Sequence, residues 1–349
     1  MRLFFSPSQL THAPTQFMVA GRLVAPVEVP ERAQLMADAL GKLGLTVEQP
    51  GDAGLAPITA VHAEHYVQFL ATAHERFSKL PNAGSEVLPN VHPHVSAGPS
   101  LGPRPKPRTT SVVGEAGWYL GDLAVAIGPV TWSAAYASAQ SAIAAADAVI
   151  AGDGEATALC RPPGHHAYAD RASGFCFLNN AAIAAERLRS KYGRVAIVDF
   201  DTHHGDGTQA IFYRRNDVLF ASVHTDPAAY YPFYAGYDDE RGAGAGTGFN
   251  VNLPLPQGSG DAVFIEANRT LADAVDAYGA EALVISAGWD AHKDDPLSKL
   301  AVTTKAFEAI GTLWGKMRLP TVVVQEGGYS LAAIQEIAPA FVAAFLAAR

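Results

Sequence analysis

The chain has 349 residues, 49% of them hydrophobic, so it can bury a large core, and one α/β domain spanning 1–349 is the expected organisation. Its formal charge of −9 excludes a broad nucleic-acid footprint. Two cysteines, Cys160 and Cys176, are too few for a disulfide framework and belong to no paired-Cys metal motif, which predicts free buried thiols and a reducing, cytoplasmic setting.

The opening "MRLFFSPSQLTHAP" reads as a first strand, because its apolar run is too brief for a signal-peptide core. Residues 79–112, rich in Pro, Gly and Ser, carry neither helical nor strand period, and a loop of that length inside a compact domain is usually functional or disordered. Its basic cluster Arg104, Lys106 and Arg108 is interrupted by prolines and too short to engage nucleic acid. Beyond it, helical patterns at 132–152, 179–193, 261–279 and 304–317 alternate with apolar strands at 156–160, 195–201, 218–224, 281–290 and 321–328. That rhythm predicts a mostly parallel sheet with helices on both faces. The last apolar segment, 331–348, contains Gln335, Glu336 and Pro339 and reads as a core helix, so no membrane partner is expected.

In open α/β sheets ligands bind at the carboxyl ends of the strands, and there this sequence places its unusual side chains. The first of these strands is followed by "RPPGHHAY" with His165 and His166; the second runs into "VDFDTHHGDG" with Asp199, Asp201, His203 and Asp206; later strands end at Asp290 and at "EGGYS" with Tyr329. Asp199, Asp201 and His203 alternate, and share one strand face if the extended conformation continues through them. Two carboxylates and an imidazole make a metal-ligand set, to which Asp290 adds a further carboxylate; three ligands leave a position open for water and substrate. Ligand type admits zinc, Fe(II) or Mn(II). Singly, an Asp or His at a strand end is as well explained by capping or ion pairing. The adjacent histidines suit proton transfer, with Asp199 and Asp206 available to tune them apart.

The motifs "CRPPGHHA", "GFCFLNNAAIAA", "VDFDTHHGDGTQ", "GFNVNLPLPQG", "SAGWDAHKDDPLSKLAVT" and "QEGGYS", in this order and spacing, resemble the histone deacetylase and acetylpolyamine amidohydrolase superfamily over nearly the whole chain. With "GRLVAPVEVPERA" and the Pro-rich loop, the resemblance leans toward bacterial acetylpolyamine amidohydrolases. It implies an arginase/deacetylase-like fold and a zinc-dependent removal of acetyl groups from amines, with Fe2+ as an alternative metal. Asp201, His203 and Asp290 become the metal ligands; His165 pairs with Asp199 and His166 with Asp206; His166 is the general base and acid, and Tyr329 supports the oxyanion.

The same resemblance makes Gly174, Phe175 and Tyr231 walls of a narrow tunnel and puts Leu297 at its mouth. It assigns a structural K+ to Asp199, Asp201, His203, Ser222 and the carbonyl of Val223, and sets Arg32 beside an internal acetate channel, where a helix-start salt bridge is an equal reading. Where polyamine-selective members carry a carboxylate at the tunnel mouth, this chain has the uncharged Leu297, Val113 and Ala124, with Glu115 or Asp122 as neighbouring substitutes. By the same resemblance, the long loop implies a homodimer. Acetyl-lysine peptides are the alternative substrate. A binuclear ureohydrolase of the arginase type would need an Asp at Gly288, and a non-catalytic binder of acetylated ligands would not need Tyr329 or the His pair.

Overall fold

The computed structural model describes residues 1–93 and 104–349. Ten strands occur among them: β1 (Arg2–Phe4), β2 (Phe17–Val19), β3 (Arg22–Val24), β4 (Val47–Glu48), β5 (Glu155–Ala158), β6 (Val195–Asp199), β7 (Val218–Thr225), β8 (Asn250–Leu255), β9 (Ala282–Ala287) and β10 (Thr321–Gln325). The α-helices are α1 (Glu31–Gly41), α2 (Ala56–Thr59), α3 (Glu64–Phe77), α4 (Val112–Tyr119), α5 (Thr131–Ala151), α6 (Asn180–Leu188), α7 (Asp206–Phe212), α8 (Asp261–Tyr278), α9 (Thr304–Lys316) and α10 (Ile334–Ala348).

Eight strands form one sheet in the order β4-β1-β5-β10-β9-β6-β7-β8, every neighbouring pair parallel. The two-residue side-chain period of a strand divides this sheet between two cores. Ala196 and Val198 of β6 and Leu283, Ile285 and Ala287 of β9 face the core under α1, α8, α9 and α10, whereas Val195, Ile197, Ala282 and Val284 face the core under α5 and α6. A sheet covered on both sides requires near-continuous apolar strands, which is what the central sequences provide. Pro254 lies in β8, an edge strand, where its missing N–H costs no ladder bond.

Three expectations need correction. The strand expected at 195–201 stops at Asp199. Asp201 N donates to Asp199 Oδ1 at 3.0 Å and His203 N to Asp201 Oδ1 at 2.9 Å, so each aspartate bonds the backbone two residues on and turns the chain out of the sheet. Asp199 therefore ends the strand, while Asp201 and His203 follow in bends, and the three do not share one strand face. The long segment 79–112 is less detached than its composition implies: Val87 is buried and bridges Ile127, and Glu86 accepts from Thr15 N at 2.7 Å and Thr15 Oγ1 at 2.8 Å. Its residues 94–103 lie outside those described. Finally, β2 and β3 form a separate antiparallel hairpin, absent from the expected elements, that reaches the mouth of the main cavity.

Candidate active site

The turns following β5, β6, β9 and β10 converge. Asp201, His203 and Asp290 are buried and offer ligand atoms that all lie within 4.8 Å of one another. His203 Nδ1 is 3.1 Å from both Asp201 Oδ1 and Asp290 Oδ2. Burial disfavours all three charges, yet bonds to Asp201 and Asp290 raise the His203 pKa to about 9, while burial and the Asp201 charge push Asp290 up to about 7. Two buried carboxylates held against an imidazole make a donor set that could hold a cation, and its chemistry fits zinc.

The backbone around this cluster is cut close. A Cβ at Gly327 would stand 2.3 Å from Asp290 Oδ2 and 2.4 Å from Asp201 Oδ2, and one at Gly288 would stand 2.1 Å from Asp201 Oδ2. Gly327 N donates to Asp201 Oδ2 at 2.8 Å, and Thr202 N to Asp290 Oδ1 at 3.0 Å. The backbone thus orients both carboxylates from behind.

Beside the cluster, His165 Nδ1 bonds Asp199 Oδ2 at 2.9 Å and His166 Nδ1 bonds Asp206 Oδ1 at 2.7 Å. His165 also turns Nε2 to within 3.9 Å of Asp201 Oδ2. Burial opposes its charge, but Asp199, Asp201 and Glu326 together hold it protonated well above the usual histidine range. His166 goes the other way: burial, then the neighbouring positive His165, push it down to about 4 despite Asp206. Two adjacent imidazoles thereby differ in charge, the arrangement that separates acid-base roles.

Several residues that hold this constellation were not singled out in the sequence. Buried Glu326, at the end of β10, accepts from Gly164 N at 2.6 Å, His165 N at 3.1 Å and Ser286 Oγ at 2.9 Å, fixing the turn that carries the histidines. Tyr168 donates to Asp206 Oδ2 at 2.8 Å. Asp295 Oδ2 accepts from Tyr329 N at 2.6 Å and Ser330 N at 2.9 Å, and Oδ1 from Leu297 N at 2.9 Å, tying the Tyr329 turn to the loop after Asp290. The side chain of Tyr230 reaches His203. Their only sequence signal was an acidic or aromatic residue near a strand end.

A cavity of about 1070 Å³ opens onto the site, lined by His166, His203, Asp206, Tyr329, Gly174, Phe175, Tyr231 and Leu297 among others. Phe175 adopts a left-handed φ of 67°, a conformation costly for a residue with a side chain, and its ring stands 5.9 Å from Tyr329 and 5.4 Å from Phe17 of β2. Tyr231 packs edge-on against His166 at 4.9 Å. The walls are aromatic and the floor is ionic.

Other predicted positions are placed as follows. Ser222 and Val223 are buried in β7, with Ser222 in register with Asp199 and its hydroxyl 2.8 Å from His224 Nδ1. Arg32 is fully buried, donating to Glu28 Oε1 and to the carbonyl of Glu326, each at 2.8 Å, with its guanidinium 4.4 Å from the Tyr329 ring centroid. A simple helix-start salt bridge therefore describes it incompletely. Of the substitute carboxylates, Glu115 pairs with Arg76 at 2.6 Å and does not line the cavity. Asp122 does, but its Oδ2 accepts from Tyr231 OH at 2.8 Å, Ser173 Oγ at 3.1 Å and Gly174 N at 2.9 Å. It acts as a bracket for the cavity wall.

The chain matches the histone deacetylase domain over residues 26–345. It is 47% identical to the acetylpolyamine amidohydrolase of Burkholderia pseudomallei over 100% of both chains, and 40% identical to that of Mycoplana ramosa over 95% of both. Its fold superimposes on a crystal structure of acetylpolyamine aminohydrolase from Burkholderia pseudomallei with a TM-score of 0.95, covering 100% of this chain and 99% of that one.

Proposed function

The chain belongs to the histone deacetylase family, and from that premise we propose that it is a zinc-dependent amidohydrolase of acetylated amines, with acetylpolyamines as the favoured substrates. The observation that carries this reading is the buried Asp201, His203 and Asp290 cluster at the floor of an aromatic-walled cavity, flanked by two unlike His–Asp pairs and by Tyr329.

Asp201, His203 and Asp290 would hold the ion, which when bound supplies Lewis acidity to the amide carbonyl and acidifies water. His166, uncharged and bonded to Asp206, takes the proton of the attacking water. As the carbonyl oxygen gains negative charge, the Tyr329 hydroxyl donates to it; burial first, and then Asp290 and Asp201, hold the phenol pKa far above its ordinary value, so the proton is present at any working pH. The C–N bond then breaks, His166 returns its proton to the leaving nitrogen, and acetate and the free amine separate. His165 keeps its proton throughout and supplies positive charge nearby. Arg32, behind Tyr329, is the group toward which acetate would leave.

The same reading includes a structural K+ among Asp199, Asp201, His203, Ser222 and the Val223 carbonyl, supported by the register that sets Ser222 against Asp199. It also includes a homodimer. Met18, Val19, Phe233 and Tyr234 line the cavity and are exposed, Tyr234 by 69%, an apolar rim that a second copy would cover. Two buried thiols, Cys160 and Cys176, support a cytoplasmic setting. Among the described residues no helix is long and apolar enough to cross a membrane.

The deciding experiment compares kcat/KM of the zinc-loaded protein on N-acetylputrescine, N8-acetylspermidine and an acetyl-lysine peptide. Acetylpolyamines are expected to lead, and a tenfold preference corresponds to about 1.4 kcal/mol of transition-state binding. A leading peptide would overturn the substrate reading; no hydrolysis of any of the three would overturn the activity.

A further inference from the structure

His203 has two ring nitrogens, and the structure gives each a separate neighbourhood. Nδ1 faces Asp201 and Asp290. Nε2 lies 2.7 Å from the hydroxyl of Tyr230, whose ring stacks on the imidazole at 4.8 Å and 16°. That hydroxyl also contacts the carbonyl oxygen of Leu297. A carbonyl only accepts, so the single Tyr230 proton is directed to Leu297 O and the oxygen's lone pair is left for His203. Nε2 must then be the donor. Nδ1 bonds toward Asp201 and Asp290 while no ion is bound; an ion entering there would displace the Nδ1 proton, the proton on Nε2 would stay with Tyr230, and Nδ1 would offer its lone pair.

We propose that Tyr230 is a positioning residue for the metal site: it fixes His203 in the Nε2–H tautomer and orients its Nδ1 toward the ion. The proposal rests on the reading that Asp201, His203 and Asp290 bind a metal. Metal-ligating histidines generally donate their other N–H to an acceptor, and loss of such an acceptor typically weakens metal binding by about 10–100-fold. Here that acceptor sits on the segment after β7 and is itself anchored on the loop at the cavity mouth, since Leu297 N bonds Asp295, which in turn holds Tyr329 N. Metal ligand, tunnel mouth and Tyr329 are joined through one hydroxyl.

The test is a chelator competition with zinc alone on wild type, Tyr230→Phe and His203→Ala, with melting temperatures taken on the metal-free proteins. Phenylalanine keeps the stacked ring and removes only the hydroxyl. The expected result is a 10–100-fold weaker zinc affinity for Tyr230→Phe, an unchanged metal-free Tm, and a larger loss for His203→Ala. If Tyr230→Phe binds zinc like wild type while His203→Ala does not, the Tyr230 proposal fails and the metal site stands. If His203→Ala also binds like wild type, the metal-site reading itself fails. A second measurement needs no variant: in the zinc-loaded wild type the Nε2–H proton of His203 should be visible by NMR as a slowly exchanging resonance, and rapid exchange with solvent would overturn the proposal.

Discussion

Adding one methyl group at Gly327 tests whether the carboxylate geometry, and not merely the carboxylates, makes the site. The backbone there is outside the left-handed region, so alanine meets no conformational penalty and the whole effect falls on its neighbours. Its Cβ would sit 2.3 Å from Asp290 Oδ2 and 2.4 Å from Asp201 Oδ2, against a practical floor of 3.0 Å. The two oxygens must retreat by about 0.7 and 0.6 Å, differences of those distances, whereas metal sites tolerate deviations of about 0.2 Å. Misplacement on this scale commonly costs ~10²-fold, or about 2.7 kcal/mol. Gly327→Ala should therefore lose zinc to a chelator some ~10²-fold more readily and lose kcat in step, while circular dichroism of the metal-free protein reports an intact sheet. Zinc held as tightly as in wild type, with unchanged turnover, would refute the reasoning.

Other perturbations probe separate parts of the assembly. Asp201→Asn should abolish zinc retention and activity together, and full occupancy in metal analysis would remove Asp201 from the ligand set. Tyr329→Phe should cut kcat by about 10²–10³-fold with zinc content and Tm preserved; an unchanged kcat would leave Tyr329 as a wall residue only. Buried His62, whose Nε2 accepts from Asn179 N at 2.9 Å, is pushed down to about 4 by burial, so the fold holds it neutral. Its stabilisation is complete above pH ~6.5 and drains away as pH falls toward ~4, amounting to about 2 kcal/mol lost at pH 5. Urea midpoints at pH 7 and 5 should accordingly differ less in His62→Gln than in wild type, and equal pH dependence would count against the assignment. Shortening the 79–112 loop should give monomers that admit bulkier acetylated peptides, and a native protein that already sediments as a monomer at micromolar concentration would end that account.

The sheet and its site were legible where physics is local. Apolar runs such as "VAIVD" and "LVISA" announce strands buried on both faces, and their last residues announce the crevice, so His165, His166, Asp201, His203, Asp290 and Tyr329 could be named from spacing and motif. The bends after Asp199 look like strand in the sequence because aspartate bonding to its own backbone leaves no mark on hydrophobic period. The hairpin Phe17–Val24 carries no strand signal in the sequence, because Phe17, Met18 and Val19 line the cavity and Leu23 is exposed, so no buried alternation frames it. Tyr230 and Glu326 act on partners 27 and 161 residues away, and such approaches exist only after folding.

The clearance at Gly288 bears on how this scaffold can change its chemistry. An arginase-like two-ion centre would need a carboxylate at 288, yet the first carbon of any side chain there would already fall 2.1 Å from Asp201 Oδ2. Gaining a second ion therefore demands that the strand end after β9 move away from the turn after β6 before, or together with, the new ligand. A lone Gly288→Asp replacement would drive its Cβ into the Asp201 carboxylate. A carboxylate at 288 and the present position of Asp201 therefore exclude one another, so changing the side chain there requires a displacement of the backbone as well.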